Sequence, residues 1–596
     1  MTPREPRARL TRRRLLHLTG LGAGAALAGP WRRGGRAAAA AQDGALTIDL
    51  AAVIEPAPLR PGAPTTLWRY RAAVTAGDPA RLQAVDGPFP GPIVRLREGM
   101  TFTADFTNRL REDTTVHWHG LNVPHEMDGH PMDLVAPGAG RRYSYEVRNP
   151  AGMYWFHPHP HGRTGAQVYR GLSGLLIVDE APGDPRLAAL PADLAEQPLV
   201  LQDRTLDDVN ALVYTQSPMG FLGDDLFVNG RERYRATVAP RPYRLRLLNG
   251  SNHRIFKLGW RDGAPLTVIG TDGGLLDAPV EKPYVMLGPA ERIELLADFG
   301  DDAPGTVRHL DTLAFRDDSM AMGFRWPQGG PGEVATFVVD DRPAPPRRRL
   351  WLPVGYVRRG PAAAVAAPPP APNPRDGGAT RAAPDAGDAR SFAPPAAGAP
   401  AVCRVPAAAG SEAAAAGASR WGASASEAAA STPPTALGAA AADGIPADRT
   451  IVLRMQAGQF TLNGRTFEHE AVADDEIVTL GADEVWAFVN EGMGGGPGPG
   501  PGPGMGMSGP HLMHVHLVRF KVVERTTDGR HAAAYASVAE GLVDEGWKDT
   551  VLVMPGETVK IRATFGDFTG LYLVHCHMLE HEDQGIMCNF RVDPPA

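Results

Sequence analysis

The sequence predicts an all-β protein built from several sandwich or barrel domains, and three observations carry that expectation. Short runs of alternating apolar and polar residues, punctuated by Gly, Pro and Asn, recur along most of the chain, while helical periodicity is scarce. The 596 residues are too many for one hydrophobic core. Only three cysteines occur, Cys403, Cys576 and Cys588, so a disulfide framework is not what stabilises the fold. A net charge of -7 gives no electrostatic reason to expect nucleic acid. No second long apolar segment exists, so no membrane span is expected in the mature chain.

The N-terminus reads as a targeting segment, residues 1–41. Thr11-Arg12-Arg13-Arg14-Leu15-Leu16 resembles a twin-arginine signal, a modest apolar stretch follows, and small residues at 37–41 offer a cleavage zone. That route exports folded proteins, so a periplasmic or otherwise extracytoplasmic location is expected.

A first β domain is expected over 45–180. Ile93, Val94 and Leu96 lead to a turn at Gly99, and then Phe102, Ala104 and Phe106 alternate with polar residues. Val116-His117-Trp118-His119-Gly120 follows. Successive strand side chains face opposite ways, so both histidines share a face and Trp118 takes the other. Tyr154-Trp155-Phe156-His157-Pro158-His159-Pro160-His161 repeats the device. Proline cannot donate to a sheet ladder, which puts this segment at a strand edge or end.

A second domain is expected over 195–345, with strand-like runs at 243–248 and 293–299 and turns at Asn229-Gly230, Asn249-Gly250 and Asp272-Gly273-Gly274. His253 and His309 stand alone here and read as ordinary histidines, which makes this domain a spacer. Residues 358–448 turn abruptly to Ala, Pro, Gly and Ser and read as a disordered insert; Cys403 and Trp421 within it receive no role. A third domain, 449–596, has strand-like runs at 460–464 and 485–489 and a Gly/Pro loop at 494–504. It then carries His511-Leu512-Met513-His514-Val515-His516 and, near its end, His575-Cys576-His577-Met578-Leu579-Glu580-His581.

Four stretches thus share one grammar, a histidine pair at spacing two: His117/His119, His157/His159, His514/His516 and His575/His577. Eight imidazoles on converging strand faces make a nitrogen-rich pocket suited to copper, zinc, iron or nickel. His511, Cys576 and His581 remain, two imidazoles and a thiolate, the trigonal set of a blue-copper electron-transfer centre. Cys576 faces away from His575 and His577, so one strand could touch both sites over on the order of 10 Å, short enough for an electron relay.

These motifs resemble the four ligand signatures of the multicopper oxidases, three-domain enzymes of cupredoxin fold (Greek-key β-sandwiches) that include bacterial laccases, copper-efflux oxidases and bilirubin oxidases. Connecting phrases match as well: Asp225-Leu226-Phe227-Val228-Asn229-Gly230, Leu245-Arg246-Leu247-Leu248-Asn249-Gly250, Pro289-Ala290-Glu291-Arg292 and Gly546-Trp547-Lys548-Asp549-Thr550. The resemblance implies four copper ions. His511, Cys576 and His581 would hold type 1 copper, His117 and His514 type 2, and His119, His157, His159, His516, His575 and His577 the type 3 pair. It further implies that a reducing substrate gives single electrons to the type 1 site, that Cys576 passes them on, and that four reduce dioxygen to water. Asp128 and Glu582 match carboxylates that deliver protons. His161 is expected to be a supporting group behind the ligands, and His125 and His130 ordinary polar histidines.

The chain departs from the family pattern in two places. Ten residues after Cys576, where many bacterial relatives have an axial methionine, stands Ile586, with Met587 beside it. A type 1 site without an axial thioether is therefore expected, a one-residue slip to Met587 being the alternative. The insert lacks the methionines of copper-efflux oxidases, and Met507 stands where those enzymes carry an acid, although Met493, Met505, Met507 and Met513 surround the first type 1 ligand. These features lean toward a laccase-like oxidase of small phenols, with cuprous ion as the alternative donor and a monomer as the expected state. A copper-binding scaffold without turnover is the rival from another class; all ten histidines and the cysteine speak against it. A nitrite-reducing copper enzyme lacks this combination of motifs.

Overall fold

The computed structural model describes residues 44–191, 194–217, 220–316, 328–341, 444–456, 459–491 and 509–596. The expected targeting segment, most of the expected insert with Cys403 and Trp421, and Met493, Met505 and Met507 lie outside them. Strands dominate and helices are few and short.

The first stretch folds as two four-stranded sheets. In one, Ala45–Ala57 lies between Thr65–Ala76 and Thr101–Asn108, and Gly140–Glu146 closes the far edge. In the other, the order is Leu82–Ala84, Pro92–Arg97, Gly174–Asp179, Gly152–Phe156. Ala45–Ala57 pairs in parallel with Thr101–Asn108, and Pro92–Arg97 with Gly174–Asp179. Parallel neighbours distant in sequence require crossovers, which makes this a Greek key rather than a simple meander. The alternating residues Phe102, Ala104 and Phe106 all enter the core, alongside Leu46, Ile48, Val94, Leu176 and Trp118.

The second stretch pairs an eight-stranded with a five-stranded sheet around Leu245, Leu247, Phe256, Ile293, Leu295 and Phe337. The third consists of two five-stranded sheets. In one of these the order is Ile477–Thr479, Met587–Asp593, Gly570–Cys576, His511–Val515, Thr550–Val553. The two histidine-bearing strands are therefore adjacent and antiparallel, with His514 opposite His575 and Met513 opposite Cys576. Directly opposed residues sit about 5 Å apart at Cβ, so register alone brings two ligand pairs together.

Among the described residues no helix is long and apolar enough to cross a membrane.

Candidate metal centre

The strand Gly152–Phe156 stops one residue before His157, as the prolines at 158 and 160 dictate, and His157 then exchanges two backbone hydrogen bonds with His117 at 2.8 and 3.1 Å. This bridge fixes the first two histidine pairs against each other. Gly120 ends the first motif in a left-handed conformation, φ +83°, and a Cβ there would collide with the carboxylate of Asp549 and the guanidinium of Arg292. The motif therefore needs glycine at that position on both backbone and packing grounds.

Carbonyl groups only accept hydrogen bonds, and they decide which nitrogen of each imidazole is free. His117 Nδ1 donates to Asp128 O at 2.8 Å and His514 Nδ1 to Asp549 O at 2.8 Å. Their Nε2 atoms are buried without a hydrogen-bond partner among the described residues. His157 Nδ1 donates to Pro158 O at 2.9 Å, and His516 Nδ1 to Asp128 Oδ2 at 2.7 Å, again leaving Nε2 bare. His119 is turned the other way. Its Nε2 donates to Asp549 Oδ1 at 3.1 Å, which frees Nδ1.

The bare nitrogens collect into two trios. His157 Nε2 lies 3.4 Å from His119 Nδ1 and 3.3 Å from His577 Nε2. His575 Nε2 lies 3.3 Å from His159 Nε2 and 3.2 Å from His516 Nε2. Three nitrogens about 2.0 Å from one ion are roughly 3.3–3.5 Å apart in tetrahedral or trigonal geometry. His117 and His514 stand between the trios, stacked on His516 and His119 with ring centroids 4.0 and 3.8 Å apart. Burial, then neighbouring imidazoles, push His119, His159, His516 and His575 well below the ordinary histidine range. His514 is pushed down to about 4, mainly by burial. Neutral imidazoles with inward lone pairs are what a transition-metal ion needs.

Cys576 lies on the opposite face of its strand, within the core of the third stretch. Its Sγ is 3.5 Å from His511 Nδ1 and 3.7 Å from His581 Nδ1. A trigonal ion about 2.3 Å from sulfur and about 2.0 Å from nitrogen sets donors roughly 3.7 Å apart, so this set fits one ion. Burial pushes the thiol up to about 12, while backbone N–H groups of Met578 and Leu512 at the sulfur work against that rise. A cation displacing the proton supplies the stabilisation a buried thiolate lacks. His511 and His581 are each 4 % exposed, whereas His575 and Cys576 are fully buried, so this site meets solvent through its imidazoles.

The short helix Leu579–Glu582 follows directly, and His581 N and Glu582 N both donate to Met578 O. One turn thereby returns His581 to the sulfur while Glu582 reaches the trio, its carboxylate oxygens 3.2 Å from His159 Nδ1 and 3.3 Å from His575 Nδ1. Burial raises the Glu582 carboxyl well above the ordinary range. Asp128 is fully buried and touches His516 and, at 3.4 Å, His117.

Ile586 shares the hydrophobic cluster of Cys576, whereas Met587 packs with Phe467 and Leu573 in a separate one. Strand alternation turns the methionine away from the sulfur. His161 departs from its expected role. The chain turns at Pro160, Arg163 N donating to its carbonyl at 3.0 Å, and His161 is exposed with its ring 5.0 Å from Phe467.

Sequence reasoning missed Asp549, Arg292 and Asp272. Asp549 contacts two of the motif imidazoles, His119 through its side chain and His514 through its carbonyl. Fully buried Arg292 donates to Asp549 Oδ1 at 2.7 Å and Asp272 Oδ1 accepts from Arg292 N at 2.7 Å. Burial opposes the Asp549 charge, but Arg292 holds this carboxyl below its usual range. The only signals were that Asp549 and Arg292 fall in phrases shared with the family and that Asp272 opens an expected turn. The second stretch, expected to be a spacer, also sets His253 against His581 with ring centroids 5.0 Å apart.

Family models described as "Multicopper oxidase" match residues 68–183 and 444–596. The chain is 24% identical to a laccase of Bacillus subtilis over 568 residues, covering 87% of this chain and 91% of that one. It is 33% identical over 254 residues to the cell division protein FtsP of Escherichia coli, covering 42% of this chain and 54% of that one. Among solved structures, the McoA multicopper oxidase of Aquifex aeolicus is similar with a TM-score of 0.62 at 28% identity, over 92% of this chain and 96% of that one. The fold, the donor set and these likenesses lead to one assignment: the chain belongs to the multicopper oxidases, copper-dependent oxidoreductases that use dioxygen as electron acceptor.

Proposed function

We propose that the protein couples four one-electron oxidations of a small phenolic donor to the reduction of one dioxygen, with four protons, to two waters. Four copper ions are assigned: one to His511, Cys576 and His581, one to His117 and His514, and one to each imidazole trio. Bound copper would supply the redox chemistry, accepting single electrons at the thiolate site and reducing dioxygen at the three-ion site. The observation that carries this reading is the single stretch Cys576–His577 with His575, in which neighbouring residues serve both donor sets.

The protein's own groups do the remaining work. His581 and His511 present the least buried edges of the assembly, where a donor arrives. Backbone carbonyls and the carboxylates of Asp128 and Asp549 fix imidazole tautomers and orientation. Asp128 and Glu582 stand on the outer nitrogens of the imidazoles, the place from which protons can be handed inward. Export by the twin-arginine route, with residues 1–41 as the signal, to a periplasmic or otherwise extracytoplasmic location and a monomeric state complete the proposal.

Cuprous ion is the second candidate donor, and of the four methionines near His511 in sequence Met513 is the one among the described residues. It is fully buried in the core rather than turned to solvent, which favours the phenol. Oxygen uptake by copper-loaded enzyme, compared between a phenolic donor and cuprous ion, tests the reading. Faster uptake with the phenol is expected; a large preference for cuprous ion overturns the substrate, and no uptake with either overturns catalysis in favour of a scaffold.

A further inference from the structure

A second group of metal-binding side chains lies outside the centre described above, where the loop after the first histidine motif meets the loop that follows Phe467. Met132 Sδ is 3.1 Å from His469 Nδ1. Both residues are exposed, Met132 at 42 %. His161 faces the same aromatic ring, 5.0 Å from Phe467, with His469 at 6.4 Å from it.

The arrangement is fastened from beneath. Asn589, buried in the strand Met587–Asp593, donates to His469 O at 2.9 Å and to Ala471 O at 2.8 Å, and its Oδ1 accepts from His130 Nε2 at 2.9 Å. His130 Nδ1 in turn accepts from Met132 N at 3.2 Å. One buried amide thus ties the backbones of both donor-bearing loops. His469 is held at φ +42°, a left-handed conformation that a residue with a Cβ adopts rarely. Backbone strain of this kind persists where surroundings hold it, and the Asn589 hydrogen bond to His469 O is one such restraint.

The donors decide the ligand class. A thioether and imidazoles carry no charge and are soft to borderline, which suits monovalent soft cations and suits calcium or magnesium poorly. A cation about 2.0 Å from nitrogen and about 2.3 Å from sulfur spans the observed gap at roughly a right angle, so these two donors can share one ion. Glu468 and Glu470, exposed on either side of His469, favour a cation at this edge. We propose that Met132, His469 and His161 form a surface site for cuprous or silver(I) ion, additional to the four-copper set and on a different part of the chain from the thiolate site.

Silver(I) is the suitable probe because oxygen does not consume it. Titration of the copper-loaded enzyme with silver(I), followed by calorimetry, is expected to show a site that Met132→Leu and His469→Gln each weaken at least tenfold. Blue absorption and oxygen uptake stay unchanged in both variants. On the unmutated enzyme, peptide mapping after mild peroxide treatment is expected to show Met132 oxidised without silver and protected with it. Equal silver affinity in parent and variants, or peroxide oxidation of Met132 that silver does not slow, overturns the proposal.

Discussion

Arg292 Nη1 donates to Asp549 Oδ1 at 2.7 Å, and that same oxygen lies 3.1 Å from His119 Nε2. An arginine of the second stretch therefore ends one side chain away from a motif imidazole contributed by the first, through an aspartate contributed by the third. Three distant stretches of sequence meet at one carboxylate. Asp272 reinforces the contact by accepting from Arg292 N, and Lys548 reaches both Asp272, at 3.6 Å, and Glu291, at 3.0 Å.

Removing the arginine should leave a buried charge without its partner. Arg292→Met is expected to destabilise the protein by about 3–5 kcal/mol, the cost of breaking a buried pair. Arg292→Lys is expected to recover only part of this, because an ammonium cannot reproduce the two-pronged contact. Denaturant titration of copper-loaded protein measures both; a Met variant as stable as the parent contradicts the role given to this pair.

Glu582 bears on turnover rather than on folding. Glu582→Gln keeps the shape of the side chain but cannot release a proton. Oxygen uptake should fall by on the order of 100-fold, the scale of a lost general acid–base group, with copper content and blue absorption retained. Loss of copper in parallel with activity would show a purely structural carboxylate.

The position beside the sulfur is open to direct test. Because Ile586, not Met587, shares the cluster of Cys576, Ile586→Met should introduce a weak axial thioether and lower the reduction potential of the blue centre. Met587→Leu should leave the potential where it was. Redox titration of the blue absorption distinguishes the two positions, and a response to Met587→Leu alone would place the wrong residue at the metal.

Copper removal should cost stability, because the buried imidazoles and the thiol then face one another without the ion that their lone pairs fit. Ligand linkage makes the stabilisation grow with free copper above the dissociation constant, about 2.7 kcal/mol at a hundredfold excess. Chelated protein should therefore melt lower and recover on reloading, as scanning calorimetry would register. Identical melting with and without copper would mean that the donor sets do not bind it.

The legible part of this molecule is the part governed by a period of two. Alternation placed Phe102, Ala104 and Phe106 in a core and set Cys576 opposite His575 and His577, because a strand offers only two faces. The prolines at 158 and 160 likewise predicted that the strand ends near His157. Long-range pairing was not legible. Nothing near Arg292 in sequence points to Asp549, 257 residues away, and nothing near Asn589 points to His130. The grouping of eight imidazoles into two trios and a pair depends on strand register and on which carbonyl each Nδ1 meets, and both emerge only from packed sheets. His161 shows the converse error: spacing continued the pattern, but the backbone turned at Pro160 and carried the ring to the surface.

The most direct test is the Cys576→Ser variant, loaded with copper and assayed together for metal content, visible spectrum and oxygen uptake. The account predicts about three coppers where the parent holds four, no blue thiolate-to-copper absorption, and oxygen uptake reduced to background. Persistent blue absorption, or uptake near the parent's rate, would contradict the claim that this sulfur joins the two sites.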